Sequence, residues 1–458
     1  MSLVAETALW DHQSRGIDFA LDRKATLLHM GLGTGKSRVA IEVARRIGAR
    51  RTLVLCPLSV CDAWLDQFTR FGRDFRVAIL NTGSVAKKAA YAKGMAERAM
   101  AYGDPFTCVV NYESARNNPL AAWLAQQKFD LLVLDESHRI KSPAGKTSRW
   151  VSRLAQTCGK RLALTGTPMP HSPLDVYAQF RSLDPKIFGW SFVQFRRTYA
   201  VMGGWQNKQV TAFKSLPDLR ARMARITFQV DRSVLDLPDA IHERRVVDLS
   251  PNAQRLYADM ERDFCAQVKD GEITAANALV KLLRLQQLTS GRVTVESDAL
   301  VSPLVQVDDA KEKALAELLT DLPHDEPVVV FGRFKADLAS VHGAAKSTGR
   351  ASLELSGSRR ELKAWQGGDA PVLACQIQAG STGIDLTRAA YCVYLSTGFS
   401  LGDYEQSLAR VHRPGQSRGV AYYHIVARGT VDEKVYDALR SRKNIVEAVL
   451  ADIQNPSI

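Results

Sequence analysis

The residues best placed for chemistry come early in the 458-residue chain, where Met30-Gly31-Leu32-Gly33-Thr34-Gly35-Lys36-Ser37 follows the apolar run TLLHM and opens the helical pattern KSRVAIEVARRIGA. A glycine-rich turn between a strand and a helix is the setting of a phosphate-binding loop. Gly33 and Gly35 let backbone N–H groups converge on phosphate oxygens, and Thr34 lies between them in the same loop. Lys36 can reach the β and γ oxygens, and Ser37 can offer its hydroxyl to Mg2+. Without a ligand the same segment would be a plain glycine-rich turn, and the full pattern would have glycine where Met30 stands.

About a hundred residues on, LLVLDESH ends in Asp135-Glu136-Ser137-His138. Carboxylates at the carboxyl end of a parallel strand face the crevice where nucleotides bind. Asp135 suits a magnesium ligand, Glu136 a general base for water, and His138 a link from the nucleotide to neighbouring segments. Alone, such a cluster is as well explained by a solvated strand end; pairing with the phosphate loop favours ATP and Mg2+ as cofactors.

The elements that position these groups follow from hydrophobic patterning. Short apolar runs alternate with helical stretches from residue 25 to Thr165, including RTLVLC, FTCVV and FDLLVLD, and the continuous apolar runs suit strands buried on both faces. A second series holds PVVVF, ASLEL, PVLACQI, YCVYL and VAYYHIV. Between the two, helix-like spacing mixed with Arg, Lys and aromatics reads as an α-helical insertion without a convincing strand series. The expected fold is α/β, with parallel-sheet lobes over 1–185 and 301–458 and an α-helical insertion and linker over 186–300. No internal repeat or low-complexity tract is visible.

Composition narrows the class. Hydrophobic residues make up 46% and charged residues 24%, an ordinary globular balance. The 61 Lys and Arg against 48 Asp and Glu give a formal charge of +13, which suggests a polyanionic partner without saying which. Seven scattered cysteines, never in a C-x-x-C pair, indicate neither a disulfide framework nor a zinc site. No secretory leader or long apolar span is visible, so a reducing cytoplasmic setting without membrane attachment is expected. A bacterial or viral source is favoured, with a nuclear setting if the source is eukaryotic.

Over nearly its whole length the sequence resembles helicase superfamily two, and more narrowly its SWI/SNF-related branch of DNA translocases. The resemblance rests on LWDHQ at 9–13, CPLSVCDAW at 56–64, DESHRIKS at 135–142, LTGTPMPHSPLDVY at 164–177, AGSTGIDLTRA at 379–389 and QSLARVHRPGQ at 406–416. It implies two RecA-like lobes that hydrolyse ATP at their interface. Arg410 and Arg413 of the second lobe would act at the γ-phosphate, where the permanently charged guanidinium fork suits the task. In isolation, two arginines three apart on a helix are more often a solvated face or salt-bridge partners.

The same resemblance implies that Gln13 reads adenine, that Gly383 and Asp385 lie at the ATP site, and that Thr165, Thr167 and Gln406 join His138 in coupling hydrolysis to the track. Track contacts would come from Ser59, Tyr112, Lys141, Ser381 and Thr382, gripping phosphates without reading bases. Each of these is equally an ordinary loop polar group.

The expected function is ATP-dependent translocation along double-stranded DNA, largely independent of sequence, by a monomer with an unidentified recruiting protein. A strand-separating DNA or RNA helicase and a non-hydrolysing nucleic-acid scaffold remain as alternatives. The chain departs from the family at Met30-Gly31, where members commonly carry an acidic pair, and at Ser137, where many have alanine. Flanking chromatin-reading domains are not seen.

Overall fold

The computed structural model describes residues 8–170, 172–203, 209–269, 283–294, 304–380, 384–398, 401–437 and 439. The chain divides into two compact units, the first running to Leu235 and the second from Asp236 to Ser441.

The first unit is built on a seven-stranded sheet of order β3-β4-β2-β5-β6-β1-β9. Its strands are β1 (Ala25–Met30), β2 (Arg51–Cys56), β3 (Arg76–Leu80), β4 (Phe106–Asn111), β5 (Leu131–Asp135), β6 (Lys160–Thr165) and β9 (Thr227–Val230). All neighbouring pairs are parallel. Every residue of β1, β4 and β5 is buried, which is why these strands are mostly apolar on both faces, with Thr26, His29, Thr107 and Asn111 the buried polar exceptions in β1 and β4. Successive side chains go to opposite faces. Leu27, Leu53 and Leu55 enter one core, while Leu28 and Val54 enter the other. Helix boundaries follow local chemistry, as in Val85–Tyr102, an alanine-rich helix capped by Ser84 Oγ accepting from Lys87 N at 3.3 Å.

The second unit has a six-stranded parallel sheet of order β10-β17-β16-β13-β15-β14. It comprises β10 (Ala240–Val247), β13 (Val328–Gly332), β14 (Ser352–Leu355), β15 (Val372–Gln376), β16 (Tyr391–Tyr394) and β17 (Val420–Ala427). Val328 and Val330 pack on one face, and Val329 and Phe331 on the other. Two parallel sheets with helices bear out the expected α/β class.

The segment between the lobes differs from its reading as purely helical. Residues 186–235 belong to the first unit and include the helices Phe192–Tyr199 and Leu216–Ala224. They also contain an antiparallel hairpin of β7 (Ala200–Gly203) and β8 (Gln209–Phe213). Strand β9 then completes the first sheet beside β1. β9 has only four residues, of which Thr227 and Val230 are buried, too short a run for alternation to announce it. Beyond Asp236 come β10, the helix Pro251–Lys269 and a second hairpin of β11 (Arg292–Thr294) and β12 (Leu304–Gln306). Among the described residues no helix is long and apolar enough to cross a membrane.

Candidate nucleotide site and the arginine helix

β1 delivers the chain from a fully buried strand to the carboxyl edge of its sheet, where the glycine-rich loop begins. Gly33 and Gly35 have φ of +88° and +86°, left-handed values that a side chain would strain. A Cβ on Gly35 would also stand 2.2 Å from Gln13 Nε2. The helix Lys36–Arg46 starts directly after, so its free N–H groups and positive dipole end face the loop. Lys36 Nζ donates to the carbonyls of Met30 at 2.9 Å and Gly31 at 3.2 Å, which holds the ammonium over the loop.

Gln13 lies beneath this loop and is almost wholly buried. Its Oε1 accepts from Trp10 N, and its Nε2 donates to Thr34 O at 3.1 Å. His12 Nε2 donates to the same carbonyl at 2.9 Å. Both ends of the Gln13 amide are therefore engaged, Oε1 in capping its own helix and Nε2 in holding the glycine-rich loop.

At the end of β5, Asp135 is buried. Its Oδ2 accepts from Trp64 Nε1 at 2.8 Å and its Oδ1 from Glu136 N at 3.0 Å. Burial, then the adjacent Glu136 carboxylate, push its pKa up to about 7 despite those bonds. A cation beside it would relieve that cost. Among the described residues no group of three or more acidic, His or Cys side chains could hold a metal.

Glu136 has φ +49°, an uncommon left-handed setting for a residue with a side chain. Its Oε2 lies 3.3 Å from His138 Nδ1, which lies 3.4 Å from Thr165 Oγ1, and Thr165 Oγ1 in turn accepts from Thr167 N at 3.1 Å. Four residues chosen for catalysis and coupling thus form one connected chain across the ends of β5 and β6.

The expected track contacts fare unevenly. Ser59 is exposed on the 3-10 turn Leu58–Val60, and Lys141 is partly exposed just after Ser137–Ile140. Tyr112 is corrected: it is only 1% exposed, and its hydroxyl donates to Asp135 O at 2.8 Å. The chain turns into the helix Tyr112–Ala115 directly after β4, so the ring points into the core and holds the acidic strand end instead of meeting solvent.

Sequence reasoning gave no role to several residues that shape this site. Trp64 ends the segment CPLSVCDAW, where nothing local ties its indole to Asp135. Gln179 is fully buried, accepting from Ser137 Oγ at 2.7 Å and donating to Pro168 O at 2.7 Å. His29 Nε2 lies 3.2 Å from Gly166 O, and burial lowers its pKa to about 4. No local signal marks the last two, because Ser137 lies 42 residues from Gln179 and Gly166 lies 137 from His29.

In the second unit, Gln406 and Arg410 sit on the helix Leu401–Val411, with Gln406 buried and Arg410 half-buried. Leu386 N donates to Arg410 O at 3.0 Å and Arg413 Nη1 donates to Ile384 O at 3.1 Å, which ties the helix end to segment 384–389. Gln416 Nε2 fixes the same segment through Ala389 O at 2.8 Å. Asp385 is exposed, and its Oδ1 accepts from Thr387 N and Oγ1, capping its own turn. Asp385 and the two arginines, far apart in sequence, are thus brought into one neighbourhood. Ser381, Thr382 and Gly383 lie outside the described residues.

Comparison with known proteins gives concordant matches. A family model described as SNF2-related domain matches residues 11–292. A protein named p41 of Acyrthosiphon pisum secondary endosymbiont phage 1 is 25% identical, covering 95% of this chain and 96% of its own length. An uncharacterized ATP-dependent helicase of Mycoplasma genitalium is 22% identical over 88% of this chain and 38% of its own length. The DNA annealing helicase and endonuclease ZRANB3 of Mus musculus is 23% identical over 97% of this chain and 41% of its own. The chain therefore spans about the whole of the phage protein and about two fifths of the two helicases.

Proposed function

The chain belongs to the SNF2-related family and is a DNA-dependent ATPase of that family, and from this premise we propose that it converts ATP hydrolysis into movement along double-stranded DNA. The observation that carries the reading is the connected edge of the first unit. There the loop lysine, the buried Asp135 held by Trp64, and the Glu136–His138–Thr165 chain all lie at the ends of β1, β5 and β6.

In this reading the loop amides and Lys36 bind the triphosphate, and Asp135 and Ser37 hold Mg2+. The ion, when bound, neutralises charge on the phosphate oxygens. Glu136, turned toward its neighbours by a left-handed backbone, accepts the proton of the attacking water. His138 senses that change and passes it to Thr165 and Thr167. Arg410 and Arg413 stabilise charge on the transferring phosphoryl group. Ser59, Lys141 and the 381–382 segment grip DNA phosphates, which makes binding largely independent of sequence. The mouse relative's name, which includes annealing, supports a task on DNA. A monomer in a reducing cytoplasm, brought to its substrate by another protein, completes the proposal.

Phosphate release with double-stranded DNA, single-stranded DNA and RNA across a salt series tests it. Lys36→Ala and Arg413→Ala are each expected to lower duplex-stimulated turnover by about a thousandfold or more. Turnover retained in both variants sinks the site assignment. Displacement of a triplex strand without opening of a forked duplex supports translocation, fork opening supports a strand-separating helicase, and wild-type chain without turnover supports a scaffold.

A further inference from the structure

The excess positive charge is confined to one stretch. Residues 139–225 hold 16 Lys and Arg against 3 Asp and Glu, so the remainder of the chain is balanced. Within this stretch, in the first unit, a pocket of about 340 Å³ is lined by Lys146, Arg149, Ser152, Arg153, Arg181 and Trp190. Four of the six are cations and none is acidic.

The arrangement is built by two packed helices, Lys146–Ala155 and Val176–Leu183. Positions 146, 149 and 153 fall on one face of the first helix by its 3.6-residue period. Among the described residues none of these three pairs with a carboxylate. Arg181 is fixed in place: its Nη2 donates to Pro143 O at 3.1 Å and Ser148 Oγ at 3.0 Å, and its own carbonyl accepts from Ser152 Oγ at 3.3 Å. Like charges held together repel, and a phosphate chain relieves that repulsion. Trp190 completes the pocket with an indole that is 62% exposed, unusual for so large an apolar ring.

We propose that this pocket binds an unpaired DNA strand, the cations taking successive phosphates and Trp190 stacking on a base. Cations beside an open aromatic face are the combination that single strands use, since every base offers a π-face once unstacked. A duplex would satisfy the cations but keeps its base faces covered, leaving the indole without a partner. None of the six residues belongs to the phosphate loop, the acidic edge or the proposed duplex contacts. The site thus adds a foothold for a displaced or unannealed strand beside the motor's duplex track.

Fluorescence anisotropy of the full chain with labelled oligo-dT and with a blunt duplex of equal length, without nucleotide, tests the assignment. Trp190→Ala is expected to weaken oligo-dT binding by about five- to a hundredfold, the range one lost stacking contact covers, whereas Trp190→Phe keeps most of it. Arg149→Ala with Arg153→Ala is expected to weaken it by about tenfold or more and to flatten its salt dependence. Duplex affinity in each variant, and duplex-stimulated ATP turnover, should stay within about threefold of wild type, on the electrostatic grounds that other cations hold the duplex. The proposal is overturned if wild type does not bind oligo-dT, if Trp190→Ala binds it unchanged, or if duplex affinity falls in parallel, which would make the pocket a duplex backbone contact. Loss of ATP turnover in wild type would instead count against the motor reading.

Discussion

At the carboxyl edge of the first sheet two carboxylates, Asp135 and Glu136, stand side by side, and among the described residues no Lys or Arg lies within salt-bridge distance of Asp135, whereas the same edge of the second sheet pairs a buried carboxylate with a lysine. There Lys311 Nζ meets Asp432 Oδ2 at 2.5 Å with both side chains buried, donates also to Leu395 O, and Thr289 Oγ1 donates to Asp432 Oδ1 at 2.9 Å. Asp337 accepts from Arg333 N, Phe334 N and Ser396 Oγ. The first edge buries Asp135 beside a second carboxylate, at a cost that a cation can offset, and the second spends its polar groups on cohesion. A motor needs both: one edge that changes with its ligand and one that does not.

The largest effect expected of this contrast is in the second unit. Asp432→Ala leaves the buried Lys311 without its carboxylate, with only Leu395 O to accept from it, and should cost about 3–5 kcal/mol of that unit's stability. Hydrogen exchange of the β16 and β17 amides reads this out directly. Replacing both partners, Lys311→Met with Asp432→Leu, should recover most of the loss. A cost below about 1 kcal/mol for Asp432→Ala would break the contrast, since the pair would then behave as an exposed one.

The two units agree at their buried imidazoles, and this sharpens the comparison. Burial lowers the pKa of His29 in the first unit and of His424 in the second to about 4. Between about pH 6.5 and 4 the unfolded chain takes up these protons and the folded chain does not, so stability falls as pH drops through that window, by up to about 3 kcal/mol for each residue. His29→Gln should flatten the pH dependence of exchange in the first unit alone, and His424→Gln in the second alone. A slope that survives both substitutions would assign the acid sensitivity to other groups.

The smallest effect distinguishes a positioning group from a track contact. Tyr112→Phe removes the hydroxyl bond to Asp135 O and should cost about 0.5–1.5 kcal/mol of first-unit stability. Affinity for duplex DNA should be unaltered in the same variant, measured by anisotropy. A selective loss of duplex affinity would return Tyr112 to the track.

How much of this was legible in the sequence depends on the reach of each signal. β2 and β5 announced themselves because strands buried on both faces carry unbroken apolar runs. β10 did not: its middle residues are exposed, and its partner β17 lies some 180 residues away. The phosphate loop was legible because its glycines answer to backbone conformation, a local property. Trp64 was not, because its indole reaches Asp135 across 71 residues of chain.

What the sequence determined alone was the set of local devices: the glycine turn, the apolar strands, the paired carboxylates, the arginine helix and the surplus of positive charge. Tertiary structure decided which of them meet, turning Tyr112 inward beneath Asp135, joining Glu136 to Thr165 through His138, and gathering Arg149, Arg153 and Arg181 around Trp190. The division has one physical cause. Periodicity and φ preference act over a few residues, while a side chain's neighbour across a sheet or between helices is set by strand order and packing, which no short window of sequence contains.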